Sequence, residues 1–170
     1  MKIIVKILLL FWLSITALSS QGQFLNEPKY IGNVYYIDGK KPPVGLERQL
    51  TRYTRKVLLF KEATSTVAID SAETIKMIVK VMDNQIDPIN VVRVYRIHSS
   101  EKKNYRYMPL RNDNPMKIKF INYDKLERIY MKTDPFGKSS YLLYLQNLRP
   151  GEYVITVDND KYGWNLFSVK

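Results

Sequence analysis

SSYLLYLQNLRPGEYVITV, residues 139–157, is the stretch whose reading decides the fold. Tyr141, Leu143 and Leu145 alternate with Leu142, Tyr144 and Gln146. That is the period of a strand, apolar enough on both faces to lie centrally in its sheet. Pro150-Gly151 then interrupts the pattern as a turn, and Tyr153, Ile155 and Val157 resume it against Val154 and Thr156. Two strands joined by a Pro-Gly corner are therefore expected to organise the remaining chain.

Outward from this pair, the same period recurs in short pieces. Strands are expected over 33–37, 57–60, 66–69, 74–82, 91–97, 105–110, 117–123, 129–133 and 164–169. The pieces 57–60 and 66–69 read as a hairpin around 62–65. In 74–82, Ile75, Met77, Val79 and Val81 point one way, and Lys76 and Lys80 wet the other face. Residues 46–53 read as a strand from Thr51 and Tyr53, although Leu46, Leu50 and Tyr53 also fall at helical spacing. Residues 123–130 allow a short helix. Asp38-Gly39, Asp83-Asn84, Asp87-Pro88, Asn112–Pro115 and Asp134–Gly137 supply turns. About nine to eleven short strands with turns every 8–12 residues indicate an all-β antiparallel sandwich, of immunoglobulin or fibronectin III-like or jelly-roll-like type, with little helix.

Residues 1–22 stand apart. Lys2 and Lys6 precede about a dozen apolar residues, too few for a comfortable membrane span, and Ala17-Leu18-Ser19 supplies small residues for cleavage. They read as a signal peptide, followed by a flexible leader over 23–31 and a single domain over 32–170. No later stretch is apolar and long enough to span a membrane. The protein is thus expected to be exported, to the periplasm or the outer surface of a Gram-negative cell envelope. Cys is absent, which removes disulfide staples, thiolate metal sites and a Cys nucleophile.

Leu148-Arg149-Pro150-Gly151-Glu152-Tyr153 resembles the Leu-x-Pro-Gly-x-Tyr corner of fibronectin III-like and carboxypeptidase-regulatory-like modules. The resemblance implies a Leu plugging the core and a Tyr hydroxyl returning to upstream backbone. Together with Asn33-Val34-Tyr35-Tyr36, Leu46-Glu47-Arg48-Gln49 and Asp87-Pro88, the chain resembles small secreted β-sandwich proteins of unknown function from Bacteroidetes-type bacteria. That resemblance implies export and an all-β domain, and brings no active site with it.

Chemistry-bearing motifs are few. The one His, His98, lies beside Ser99 with no Gly-x-Ser-x-Gly elbow, and reads as a surface residue. Asp158-Asn159-Asp160 lacks the Gly and Glu of a calcium loop, and no Gly-rich phosphate loop is present. No catalytic residue, cofactor or metal is assigned. The net charge of +11 is the global feature with functional content. It concentrates at Lys40–Lys56, with Arg48 and Arg52, and at Arg93–Arg111, with Arg96, Lys102, Lys103 and Arg106. Such charge attracts polyanions through its field and through counterion release. After a signal peptide the expected polyanion is an anionic glycan, lipopolysaccharide or membrane phosphate in preference to nucleic acid. Tyr35, Tyr36, Tyr105, Tyr107 and Trp164 are the aromatics to inspect for sugar stacking. The expected function is a non-enzymatic binding module for an anionic surface or an envelope protein. A carbohydrate-binding module and an Asp/Glu hydrolase are the alternatives. The export reading predicts an N-terminus between Ser20 and Gln23 when protein from the native host is analysed by mass spectrometry; an intact Met1 would contradict it.

Overall fold

Strands that alternate at period 2 can bury their apolar side chains only by stacking sheet on sheet. The computed structural model, which describes residues 25–39, 41–111, 120–158 and 161–170, is all-β and sandwich-like, with antiparallel, curled sheets. In chain order the strands are β1 (Val34–Ile37), β2 (Val44–Gly45), β3 (Glu47–Arg48), β4 (Arg52–Tyr53) and β5 (Val57–Lys61). They continue with β6 (Ala68–Ile69), β7 (Thr74–Lys80), β8 (Val92–Ser100), β9 (Tyr105–Arg111) and β10 (Phe120–Ile121). The last are β11 (Glu127–Ile129), β12 (Met131–Phe136), β13 (Ser140–Gln146), β14 (Gly151–Val157) and β15 (Trp164–Val169).

Five strands form one sheet in the order β12-β13-β7-β1-β2. The larger sheet runs β3-β15-β14-β8-β9-β5-β4, with β10 on β9, β11 on β8 and β6 on β15. The strand over 140–146 is central as expected, flanked by β12 and β7. It does not pair with β14, which lies between β15 and β8 in the other sheet. The Pro-Gly corner therefore carries the chain from one sheet to the other. Tyr153 fastens it: its hydroxyl donates to the Arg149 carbonyl at 2.6 Å, its ring stacks on Phe167 at 5.2 Å, and Leu148 is buried beside it.

Between the sheets lies the first core, in which Ile75, Met77 and Val79 of β7 and Leu143 and Leu145 of β13 meet Val92, Val94, Ile155 and Phe167. A second core lies on the other side of the large sheet. There Leu58 and Phe60 of β5 and Met108 and Leu110 of β9 meet Tyr95, Val154 and Leu166. β14 and β15 are consequently buried on both faces, which suits their near-continuous apolar character. The second core exists because the sheet curls. β3 and β4 stand at opposite ends of the strand order yet are separated by only residues 49–51. Four residue steps reach at most about 14 Å, so the two ends must approach. Gln49 bridges them: its side-chain amide donates to the Lys61 carbonyl at 3.3 Å, and its side-chain carbonyl accepts from the Lys61 N–H at 2.8 Å. A side chain thus supplies the two bonds that a neighbouring strand would.

Several local expectations change. Residues 66–69 do not form a hairpin with 57–60: β6 pairs in parallel with β15, and β5 pairs with β4 and β9. Residues 46–53 hold two short strands, not one, because Gln49 is taken up by the seam. The stretch 129–133 is divided at Tyr130, with β11 in the large sheet and β12 in the small one. Residues 123–130 hold a single 3-10 turn at Tyr123–Lys125 before β11. Pro135 falls within β12 and not in a turn, which an edge strand tolerates. The leader expected to be flexible is anchored at Glu27, which pairs with Lys80 and accepts from the Ser139 N–H at 3.1 Å. Gly137, at φ +60, is required there, since a Cβ would overlap the Glu27 carboxylate. The signal segment, the turn at Asn112–Pro115, residues 117–119 and Asn159-Asp160 lie outside the described residues.

Replacing Tyr153 by Phe should cost about 0.5–1.5 kcal/mol, the net worth of one hydrogen bond. Replacing it by Ala should cost about 3–5 kcal/mol, as for other large aromatic truncations. Urea melts of both variants measure the two steps, and a near-neutral Ala variant would contradict the packed corner.

Candidate functional face

β8 decides where function can sit, because one face of it changes character along its length. Val92 and Val94 face the first core. Two residues on, the same face carries Arg96, then His98 and Ser100, beyond the reach of the small sheet. The register extends this uncovered face across β9 and β5. His98 stands opposite Tyr107, Tyr107 opposite Leu59, and Leu59 opposite Arg52. Beside that row, Ser100, Tyr105 and Lys61 form another. Directly opposed residues share one side of a sheet, so these side chains make one continuous outer surface.

The aromatics on it are arranged as a platform. The His98 and Tyr107 rings stack at 5.0 Å with 27° between their planes, and Tyr105 meets Tyr107 edge-on at 5.8 Å. Cations flank the platform. Arg52 and Lys61 are exposed along its β4–β5 side. At the hairpin connection between β8 and β9, Lys102 and Lys103 project from the 3-10 turn Glu101–Lys103. That turn is shaped by Asn104, which takes the left-handed conformation and accepts a hydrogen bond from the Ala63 N–H at 3.0 Å.

A cleft of about 450 Å³ adjoins the platform and is lined by Arg96, His98, Ser99, Glu101 and Glu127. Arg96 donates to the Pro150 carbonyl at 2.7 Å and lies 3.7 Å from Glu127. Glu127 also takes a bidentate pair from Arg149 at 2.7 and 2.8 Å. A Cβ on Gly151 would come within 2.8 Å of the Arg96 side chain, so the glycine lets Arg96 lie across the corner. The cleft's best-placed carboxylate is thus already committed to two guanidinium groups.

The expected binding residues separate on inspection. Arg52, Lys102 and Lys103 lie around the platform, and Arg96 lines the cleft. Arg93, one residue out of phase, points to the opposite face of β8 and lines a different pocket. Arg48 is spent on structure, donating to Asn33 at 2.7 Å and to the Tyr162 carbonyl. Trp164 is buried in the second core, edge-on to Phe60 at 6.2 Å, and so is withdrawn from any surface role.

Arg106 is withdrawn too, as it is 0% exposed. Its guanidinium donates to Glu47 at 2.9 Å, to the Lys61 carbonyl at 3.1 Å and to the Glu62 carbonyl at 3.2 Å, and lies 3.5 Å from Glu152. Burial alone would push the Glu47 carboxyl up. Hydrogen bonds from Arg106, Ser65 and the Thr66 N–H outweigh that and hold it below its ordinary value. Glu152 goes the other way: burial pushes it up, against hydrogen bonds from Ser168 and the Ser65 N–H. Alternation held the signal, since Arg106 shares its face of β9 with Met108 and Leu110. Lys61 and Leu59, which complete the outer surface, were missed because their neighbours come from distant chain.

Among the described residues no group of three or more His, Cys, Asp or Glu is placed to hold a metal. No family model, curated protein or solved structure matches the chain.

The buried cluster sets an acid limit. A carboxyl held below its ordinary value of 4.5 stabilises the fold above that pH and loses the contribution as pH falls through the lowered value. Glu47 and Glu27 both act in this sense, and Glu152 in the opposite one. Glu47→Gln should therefore be less stable at pH 7 by about 3–5 kcal/mol, as for other broken buried pairs. Its loss of stability below pH 4.5 should also be shallower than the wild type's. Thermal melts between pH 3 and 7 compare the slopes, and parallel curves would contradict the role given to Glu47.

Proposed function

We propose that the protein is an exported, non-enzymatic binding module whose outer β8–β9–β5 surface holds an anionic glycan. The observation that carries this reading is the stacked His98–Tyr107 platform with Arg52 and Lys61 along its β4–β5 side and Lys102 and Lys103 on the hairpin turn. Sugar rings present flat C–H faces that stack on aromatic rings. Their sulfate, phosphate or carboxylate groups seek Arg and Lys nearby. An aromatic platform alone would suit a neutral sugar, and cations alone any polyanion; their interleaving favours a charged saccharide.

Commitment of two of the three cleft carboxylates, Glu127 and Glu152, supports binding over hydrolysis, because it leaves Glu101 without a free second carboxyl to work with. Glycoside hydrolysis requires one carboxyl to give up a proton and another to act as base or nucleophile. Glu127 is engaged by Arg96 and Arg149, and Glu152 by Ser168, Ser65 and Arg106. Export, and with it the envelope setting, rests on residues 1–22 and supports an extracellular or lipopolysaccharide-borne saccharide over a nucleic acid.

Retention on heparin and on immobilised lipopolysaccharide tests the reading. Binding should weaken steeply between about 50 and 200 mM salt, where the screening length shrinks to roughly 7–8 Å. Reversing Arg52, Lys102 and Lys103 to Glu should abolish retention without moving the melting midpoint much, since exposed charges contribute little to stability. Tyr107→Ala should weaken binding to heparin more than to polyphosphate, which offers charge without rings. Undiminished retention by the triple reversal would remove this face from the function.

A further inference from the structure

The chain leaves the large sheet at Ile129 and enters the small one at Met131. Tyr130 between them belongs to neither and is 78% exposed. Corners where strands change sheets leave the end of a sandwich incompletely closed. Here the opening is a pocket of about 220 Å³. Its floor is apolar: Val92 is fully buried, and Ile129 and Met131 pack on the first core. The helical turn Pro88–Val91 forms one wall, with Ile89 at its lip.

The polar rim is asymmetric. Asp87 is the one carboxylate on it, and one of its two oxygens, Oδ1, accepts from the Ile89 N–H at 3.0 Å, which starts the helical turn. Arg128 makes a single long bond, 3.4 Å, to the Ile89 carbonyl. Arg93 is half-buried, and its side chain has neither a hydrogen bond nor an ion pair among the described residues. None of its guanidinium nitrogens is a fully buried unpartnered atom, so the fork stays open to a ligand. Its planar fork suits a carboxylate, which it can take in two parallel bonds. The pocket is independent of the glycan platform. Arg93 lies on the other face of β8 and five residues from His98, about 16 Å along an extended strand.

The geometry points to a binding site for a small amphipathic carboxylate, an aromatic or branched aliphatic acid. Its apolar body would lie on Ile89, Ile129 and Met131, and its carboxylate would meet Arg93 and Arg128. Size agrees: an apolar cavity of about 150 Å³ takes a benzene ring. The volume of about 220 Å³ leaves room for a ring bearing a carboxymethyl group.

Amide chemical shifts of the ¹⁵N-labelled protein, titrated with phenylacetate, phenylacetamide and acetate, test the site. Phenylacetate should shift the amides of Ile89, Arg93 and Tyr130 saturably, with half-saturation below about 10 mM. Phenylacetamide keeps the body without the charge, and acetate the charge without the body; each should bind at least about tenfold more weakly. Arg93→Gln should bring phenylacetate down to the level of the amide. Ile89→Trp, placed at the exposed lip, should block both aromatic probes while the remaining spectrum is unchanged. Absence of saturation, equal binding of phenylacetate and phenylacetamide, equal binding of acetate, or indifference to both substitutions would each overturn the assignment.

Discussion

Arg106 cannot be removed from water unless something replaces that water, and the fold is arranged around the replacement. Glu47 comes from β3, Glu152 from β14, and the carbonyls of Lys61 and Glu62 from the end of β5. Ser65 and Ser168 then satisfy the remaining carboxylate oxygens. Five separated pieces of chain are thereby held at one end of the second core. A buried ion pair of this kind is no more stabilising than a well-packed apolar substitute, but losing one partner leaves an uncompensated charge. Its effect is therefore on uniqueness: misregistered closures of the curled sheet would strand the guanidinium. Two carboxylates share one cation, and they differ accordingly, Glu47 held down and Glu152 pushed up.

The same curl creates the functional surface. Were the large sheet flat and the small sheet as long as it, the face of β8 that carries His98 would be buried like Val92 and Val94. Because the large sheet turns away to enclose Leu58, Phe60 and Met108, its outer face beyond Arg96 has no covering layer. Aromatic rings and cations can stand there at the cost of partial solvent contact. The platform and the second core are two sides of the same strands, β5 and β9, read at alternate residues.

Alternation made much of this legible from sequence. Tyr141, Leu143 and Leu145 announce a buried face, and Leu148 and Tyr153 announce a corner, because those signals are local. Arg106 and Trp164 were misplaced for a different reason. Residue type, charge in one case and an aromatic ring in the other, points outward, although each shares a strand face with buried neighbours, Met108 and Leu166. Closure of the sheet was not legible at all. It depends on Gln49 meeting Lys61 and Glu47 meeting Arg106, pairs with no periodic signature. Of the surface, Tyr105, Tyr107 and Arg52 could be named beforehand, but their adjacency follows only from the pairing of β4, β5, β8 and β9.

The Gln49 seam has a consequence for how such a wall is fastened. A chain without cysteine has no covalent clasp. Here a neutral amide, two bonds wide, takes that place. It needs no oxidant to form, no isomerase to correct and no reductant to release, so the closure opens and re-forms with the fold itself. Being uncharged, it does not itself titrate, although its amide also donates to Glu47 and so touches one of the buried carboxylates. The structure thus closes on a fastener governed by hydrogen bonding alone, whatever the redox state of its surroundings.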